Sequence, residues 1–114
     1  LKILVCGDRY WDSKLIIRKW LEYLKPSLVI EGECEGADIL ARKAAEELGI
    51  PVDPHPANWH RYHLGAGPIR NREMLDVKPD LVLAFHFDIA ESRGTADTLF
   101  EAEKRGIPYA VIGL

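Results

Sequence analysis

The folds open to this chain are limited chiefly by five short apolar runs that alternate with stretches of helical period. The runs are Lys2–Cys6, Ser27–Glu31, Val52–His55, Leu81–His86 and Tyr109–Ile112. Within Ile3-Leu4-Val5 and Leu81-Val82-Leu83-Ala84-Phe85 no polar residue interrupts the pattern. A strand of that kind has to be covered on both faces, which is the condition of a parallel sheet between helices. Between the runs, Lys14–Leu24 spaces Leu15, Ile16, Lys19, Trp20 and Leu24 at helical intervals. Ala37–Leu48 does the same through Ala37, Leu40, Ala41, Ala44, Ala45 and Leu48 and stops at Gly49, and Thr95–Arg105 stops at Gly106. A further helix is expected over about Pro68–Asp76, because a proline suits the first turn, where its missing N–H would be unpaired in any case. Ala57–Gly67, rich in His, aromatic residues and Gly, has no clear period and reads as a long loop.

Strand–helix alternation with short connections predicts an α/β architecture: one Rossmann-like, three-layer domain over residues 1–114. Its five-stranded parallel sheet is expected in the order 3-2-1-4-5 with helices on both faces, and a chain of this length can bury an independent core. Ligands of such sheets bind beyond the carboxyl ends of the strands, near the point where strand order reverses, here between the first and fourth strands. Attention therefore falls on the loops Gly7–Ser13, Gly32–Asp38 and Phe87–Thr95.

Composition narrows the partners. A net charge of -3 lacks the basic field of a non-specific DNA binder. No apolar run approaches the roughly 20 residues that cross a bilayer, so no membrane partner is expected. Leu1–Gly7 enters a glycine turn directly, without the basic region and cleavage site of a signal peptide. Two cysteines, Cys6 and Cys34, make no disulfide framework, which favours a cytoplasmic setting with a buried free thiol near the site.

Each loop carries groups that suit a phosphorylated ligand. In the first, Gly7 lets the chain turn directly after a buried strand, Asp8 follows, and Arg9 can grip a phosphate with two parallel hydrogen bonds. In the second, Gly32 and Gly36 precede a helix whose first N–H groups can receive an anion, while Glu31, Glu33 and Glu35 oppose one and Asp38 suits the helix start. In Gly65–Met74, Arg70 and Met74 lie one helical turn apart, which puts Arg70 over the site if Met74 is in the core; the plainer alternative is that Arg70 and Arg72 are both solvated surface residues. In the fourth, Gly94 allows close approach of a ligand and Thr95 supplies an N-cap hydroxyl before fresh helix donors. His55, His60, His63 and His86 have no cysteine pair at ligand spacing, so packing or ligand hydrogen bonds are expected of them and no metal or cofactor is assigned. Tyr10, Trp11, Trp59 and Tyr62 are the aromatics nearest the expected mouth, and Trp20 is expected in the core.

Taken in order, Gly-Asp-Arg (7–9), Gly32 through Gly36-Ala37-Asp38, Ala57-Asn58-Trp59, Ala66-Gly-Pro-Ile-Arg-Asn-Arg-Glu-Met74 and Gly94-Thr-Ala-Asp97 resemble the YspA-like group of the SLOG superfamily, relatives of the LOG phosphoribohydrolases and of DprA. The resemblance runs from Ile3 to Ile112 and implies a Rossmann-like fold that binds nucleotides or their derivatives. Glu33 stands where that group more usually has glycine, and Asn58 where it usually has aspartate. Compared with the LOG enzymes, Arg70-Asn71-x-x-Met74 is similar to their Arg-Lys-x-x-Met element, so Arg70 matches the catalytic arginine. Of their Pro-Gly-Gly-x-Gly-Thr-x-x-Glu loop only Gly94-Thr95 remain, and Thr98 takes the place of the catalytic glutamate. Asp97 is next to it, displaced by about 100° around a helix.

The leading expectation is a binding module for a nucleotide or an ADP-ribose-like derivative, acting as a sensor or in nucleotide-linked signalling. Gly7, Arg9, Gly32, Gly36, Gly94 and Thr95 would line the phosphate side, Arg70 and Asn71 would contact ribose or phosphate, and Trp59 or Tyr10 would cover the base. The alternative is cleavage of the N-glycosidic bond of a nucleoside monophosphate, with Arg70 on the phosphate and Asp97 or Glu91 on the ribose side. Single-stranded DNA binding of the DprA kind is disfavoured by the acidic charge and the lack of a basic groove. The superfamily resemblance also makes a homodimer through a helical face an expectation.

Overall fold

Side chains alternate along β1 (Lys2–Gly7) and divide the interior in two, as the computed structural model, which describes residues 1–113, shows. Ile3 and Val5 enter one apolar layer with Val29, Leu83 and Phe85; Leu4 and Cys6 enter the other with Ile30, Val82 and Ala84. The first layer is closed by α1 (Lys14–Leu24) and α2 (Ala37–Glu47), through Ile17, Leu21, Ala37, Ala41, Ala44 and Ala45. The second is closed by α4 (Ala66–Asp76) and α5 (Gly94–Lys104), through Met74, Leu75, Leu99 and Ala102. With β2 (Leu28–Glu31), β3 (Val52–Pro54), β4 (Leu81–Phe85) and β5 (Tyr109–Ile112) the sheet is parallel throughout, in the order β3-β2-β1-β4-β5. The architecture is the expected one, and among the described residues no helix is long and apolar enough to cross a membrane.

Three local readings are corrected. The inward stripe of α1 is Ile17 and Leu21, with Leu15 exposed and Trp20 at the surface, because the helix axis lies where Ile17, Leu21 and Leu24 share an arc. Trp11, expected at the mouth, is 2% exposed and packs between Phe85 and Phe87, stacked on the latter at 4.9 Å. The long loop is largely helical: α3 (Trp59–Tyr62) and a 3-10 turn at His63–Gly65 lead into α4, which begins at Ala66 rather than Pro68. Asn58 explains the start of α3, since its carboxamide oxygen accepts from Arg61 N at 3.1 Å. An aspartate there would make the same cap.

Register brings the strand ends together. Cys6 pairs with Ala84 and Gly7 with Phe85, so the loops after β1 and β4 leave the sheet side by side. The loop after β2 is locked to the first: Ala37 N donates to Asp8 O at 3.1 Å, and Gly36 lies against the backbone of Asp8 and Arg9 at a left-handed φ of 83°. A side chain there meets both the conformational penalty and the neighbouring main chain. Gly36→Ala is expected to lower unfolding free energy by about 2 kcal/mol or more, measured by urea denaturation; an unchanged midpoint would mean the two loops are not interlocked.

Candidate functional site

The site is built around α4. Ala66, Arg70 and Met74 recur at intervals of four and share its buried face, with relative exposures of 1%, 9% and 2%. Met74 enters the core, while Arg70, one turn nearer the strand ends, extends over the loop after β2. Its Nη1 donates to Gly32 O at 2.7 Å and approaches Cys34 Sγ at 3.4 Å, and its Nε donates to Asn71 Oδ1 at 2.9 Å. All three partners are neutral groups. Among the described residues no carboxylate lies within ion-pair distance of this guanidinium, and Nη2 has no protein acceptor. Arg72 is exposed. Room for the guanidinium depends on Gly32, where an added Cβ would lie 2.5 Å from Arg70 Nη1 and 2.9 Å from Asp38 Oδ2.

Asn71, 3% exposed, ties Arg70 to α5: its Nδ2 donates to Asp97 Oδ2 at 3.0 Å and to Gly94 O at 3.3 Å. Thr98 instead turns into the helix packing, 1% exposed, and its hydroxyl donates to Gly94 O at 3.2 Å. The carboxylate that reaches the network is therefore Asp97. Thr95 does not cap α5, as the sequence had led us to expect. It lies within the first turn, and the capping hydroxyl belongs to Ser92, which accepts from Thr95 N at 3.0 Å. Asp97 N donates to Arg93 O. The N–H groups of Gly94 and Ala96 have no protein acceptor among the described residues, and a Cβ built at Gly94 would meet nothing within 4 Å. This helix start is open.

The start of α2 is different. Ala37 N, Ile39 N and Leu40 N already donate to Asp8 O, Cys34 O and Gly36 O. Asp38 sits in the first turn, but its Oδ2 turns back to accept from Gly32 N at 3.1 Å and Cys34 N at 3.4 Å, so it braces the loop rather than capping the helix. Burial pushes its carboxyl up to about 6, against the opposing pull of Arg70 and these two N–H groups. Glu33 has a left-handed φ of 57°, the physical reason a glycine is at home in that position, and its carboxylate pairs with Arg42 Nε at 2.7 Å. Cys34 is exposed and Cys6 is the buried thiol, raised far above the usual thiol range by desolvation and by Asp38.

Two groups were not singled out from the sequence as site residues. Glu31 ends β2 fully buried; Oε1 accepts from Glu33 N at 2.6 Å and Oε2 has no partner among the described residues. Desolvation and the neighbouring acids hold its carboxyl well above the usual range. A charged residue closing an otherwise apolar central strand was the available signal. His86, directly after β4, is 8% exposed, and its Nδ1 accepts from Asp88 N at 3.0 Å. At the rim, Gly7 turns against Phe85, Asp8 Oδ1 accepts from Tyr10 N at 2.9 Å, and Arg9, Tyr10 and Trp59 are exposed, the last beside Gly67. Among the described residues no three His, Cys, Asp or Glu side chains converge as metal ligands would.

The profile of the YspA, cpYpsA-related SLOG family matches residues 1–62. The chain is also similar to the Gene 61 protein of Mycobacterium phage D29, at 33% identity over 122 residues that cover 98% of this chain and 96% of that protein. That name assigns no activity.

The raised carboxyls set a direction for pH dependence. A native state that keeps a proton the unfolded chain has lost becomes less stable as pH rises through the interval between the two pKa values. Asp38 contributes this slope between 3.8 and about 6, and Glu31 extends it upward from the ordinary glutamate range. Glu31→Gln keeps the shape and removes the titration. The variant is expected to match the parent near pH 5 and to exceed it near pH 8 by more than about 1 kcal/mol in urea unfolding. Equal stability at both pH values would show that Glu31 is ionised in the native state at no cost.

Proposed function

The chain belongs to the YspA, cpYpsA-related SLOG family, and from that premise we propose that it binds a nucleotide or nucleotide-derived, ADP-ribose-like ligand, as a sensor or in nucleotide-linked signalling. Family membership points to a nucleotide-related function; one observation carries the reading further. Arg70 is nine-tenths buried with no carboxylate in ion-pair contact among the described residues, Asp38 acting on it only at longer range, and Asn71 links it to the open start of α5. Buried charges are ordinarily paired, because desolvation otherwise costs several kcal/mol. A ligand phosphate supplies the missing charge: Arg70 Nη2 and the N–H groups of Gly94 and Ala96 donate to its oxygens, helped by the helix dipole. The acid-rich loop at Glu33 and Asp38, with its α2 donors largely taken, suits an anion far less. Trp59 and Tyr10, exposed at the rim, offer faces on which a base stacks.

A second reading, hydrolysis of the N-glycosidic bond of a nucleoside monophosphate, is favoured by the position of Asp97. Asn71 links that carboxylate to Arg70, so an acid–base group and a phosphate anchor stand in one hydrogen-bonded unit.

A thermal-shift screen with AMP, ADP, ATP, NAD, ADP-ribose and cyclic nucleotides, with free base assayed in the same wells, separates the two. A ligand at 100 times its Kd adds about 2.7 kcal/mol, a rise of several degrees for a domain of this size. The rise is expected with at least one ligand and is lost in Arg70→Ala. Gly94→Ala is expected to leave the unliganded Tm no lower while weakening the ligand shift, since the new methyl meets no protein atom within 4 Å and stands at the open helix start. Release of base that disappears in Asp97→Asn would make the protein a hydrolase. No shift with any nucleotide would overturn the proposal.

A further inference from the structure

His86 is more deeply placed than a rim residue and has an unused donor. It follows Ala84 by two residues and continues the ladder, its N–H donating to Ile112 O at 3.0 Å. Its side chain therefore lies on the Ala84 and Cys6 side of the sheet, the side that α4 and α5 cover. There it stands beside Asp8, whose Oδ2 is 3.8 Å from Nδ1. That separation is too long for a hydrogen bond, and Nδ1 is already accepting from Asp88 N at 3.0 Å. An accepting Nδ1 puts the ring proton on Nε2. Nε2 has no acceptor among the described residues, although the ring is 8% exposed, and it is not among the polar atoms sealed from solvent.

The loop after β1 and the loop that leads to α5 thus present, at the point where strand order reverses, a free N–H donor on one nitrogen of an imidazole and a carboxylate 3.8 Å from the other. A phosphate matches only half of that pair, because Asp8 repels it. The hydroxyls of a ribose suit both halves, since a hydroxyl can accept from the imidazole Nε2–H and a hydroxyl can donate to the carboxylate. We propose that His86, with Asp8, reads a ribose hydroxyl of the ligand, so that the site selects ribonucleotides over their deoxy counterparts. The inference rests on the nucleotide-binding reading and adds the sugar to it.

Two amide substitutions separate the two edges of the ring. In His86→Asn the carboxamide oxygen takes the place of Nδ1 and keeps the bond from Asp88 N, but the Nε2 donor is gone. In His86→Gln an N–H donor returns at the reach of Nε2. Binding of AMP, 2′-deoxy-AMP and 3′-deoxy-AMP, and of the same sets for ADP and ATP, is measured by calorimetry on the unmodified chain and both variants. The unmodified protein is expected to prefer a ribonucleotide over one of its deoxy forms by at least about tenfold, because a site built around a hydroxyl leaves its own polar groups unpaired when that hydroxyl is missing. His86→Asn is expected to keep the unliganded Tm and lose the preference; His86→Gln is expected to retain most of it. Equal binding of all three sugars, or an unchanged preference in His86→Asn, would overturn the inference and leave nucleotide binding standing. Failure of every ribonucleotide to bind would overturn both.

Discussion

Arg70 carries a full positive charge nine-tenths out of water, and the chain surrounds it with a carbonyl, a carboxamide oxygen and a thiol instead of a carboxylate. The rest of the site follows from keeping that charge in place. Gly32 has no side chain because the guanidinium lies where one would go. Asn71 Oδ1 accepts from Arg70 Nε and its Nδ2 extends the contact to Asp97 and Gly94, so the start of α5 is positioned by the same group. Met74, one turn along, anchors α4 in the core and fixes the height at which Arg70 emerges.

The opposite charge is handled in the same restrained way. Glu31 and Asp38 are buried at the end of β2 and beside it, and neither is neutralised by an ion pair. Asp38 is held by two backbone N–H groups and the more distant field of Arg70; burial and the neighbouring acids push the Glu31 carboxyl well above its ordinary range. The result divides the carboxyl end of the sheet. The β2 side has its helix donors largely taken and its carboxylates gathered near Arg70, while the β4 side has the open N–H groups of α5. A ligand with an anionic end and a hydroxyl-bearing middle fits that division better than one that is anionic throughout.

The strands were legible in the sequence because both faces of a central parallel strand are apolar, and Ile3-Leu4-Val5 and Leu81 through Phe85 are short β-rich runs of that kind bounded by turn residues. The helices were legible in extent but less so in rotation. In α1, Leu15, Ile16, Trp20 and Leu24 compete with Ile17 and Leu21 for the inward face, and hydrophobicity alone cannot rank them. Trp11 and Trp20 were exchanged for the same reason: an aromatic is equally at home in a core and at a rim, and only the presence of Phe85 and Phe87 draws Trp11 inward. The capping of α5 was misplaced by three residues, from Thr95 to Ser92, because both hydroxyls precede enough helix to serve.

Local chemistry was enough to determine the parallel α/β sheet, its strand order, the loops that matter and the clustering of Gly32, Gly36, Arg70 and Gly94 near one end, since each rests on periodicity or on short-range turn requirements. Tertiary structure alone decided which of those charges has no contact ion pair among the described residues, which helix start is open and which carboxyls burial pushes up. Burial and pairing are properties of what surrounds a group, and at this site the surroundings come from β1, β2, α4, β4 and α5, segments far apart in the chain. Arg70 reads as one more polar residue on a helix until Gly32, 38 positions earlier, is seen against its guanidinium.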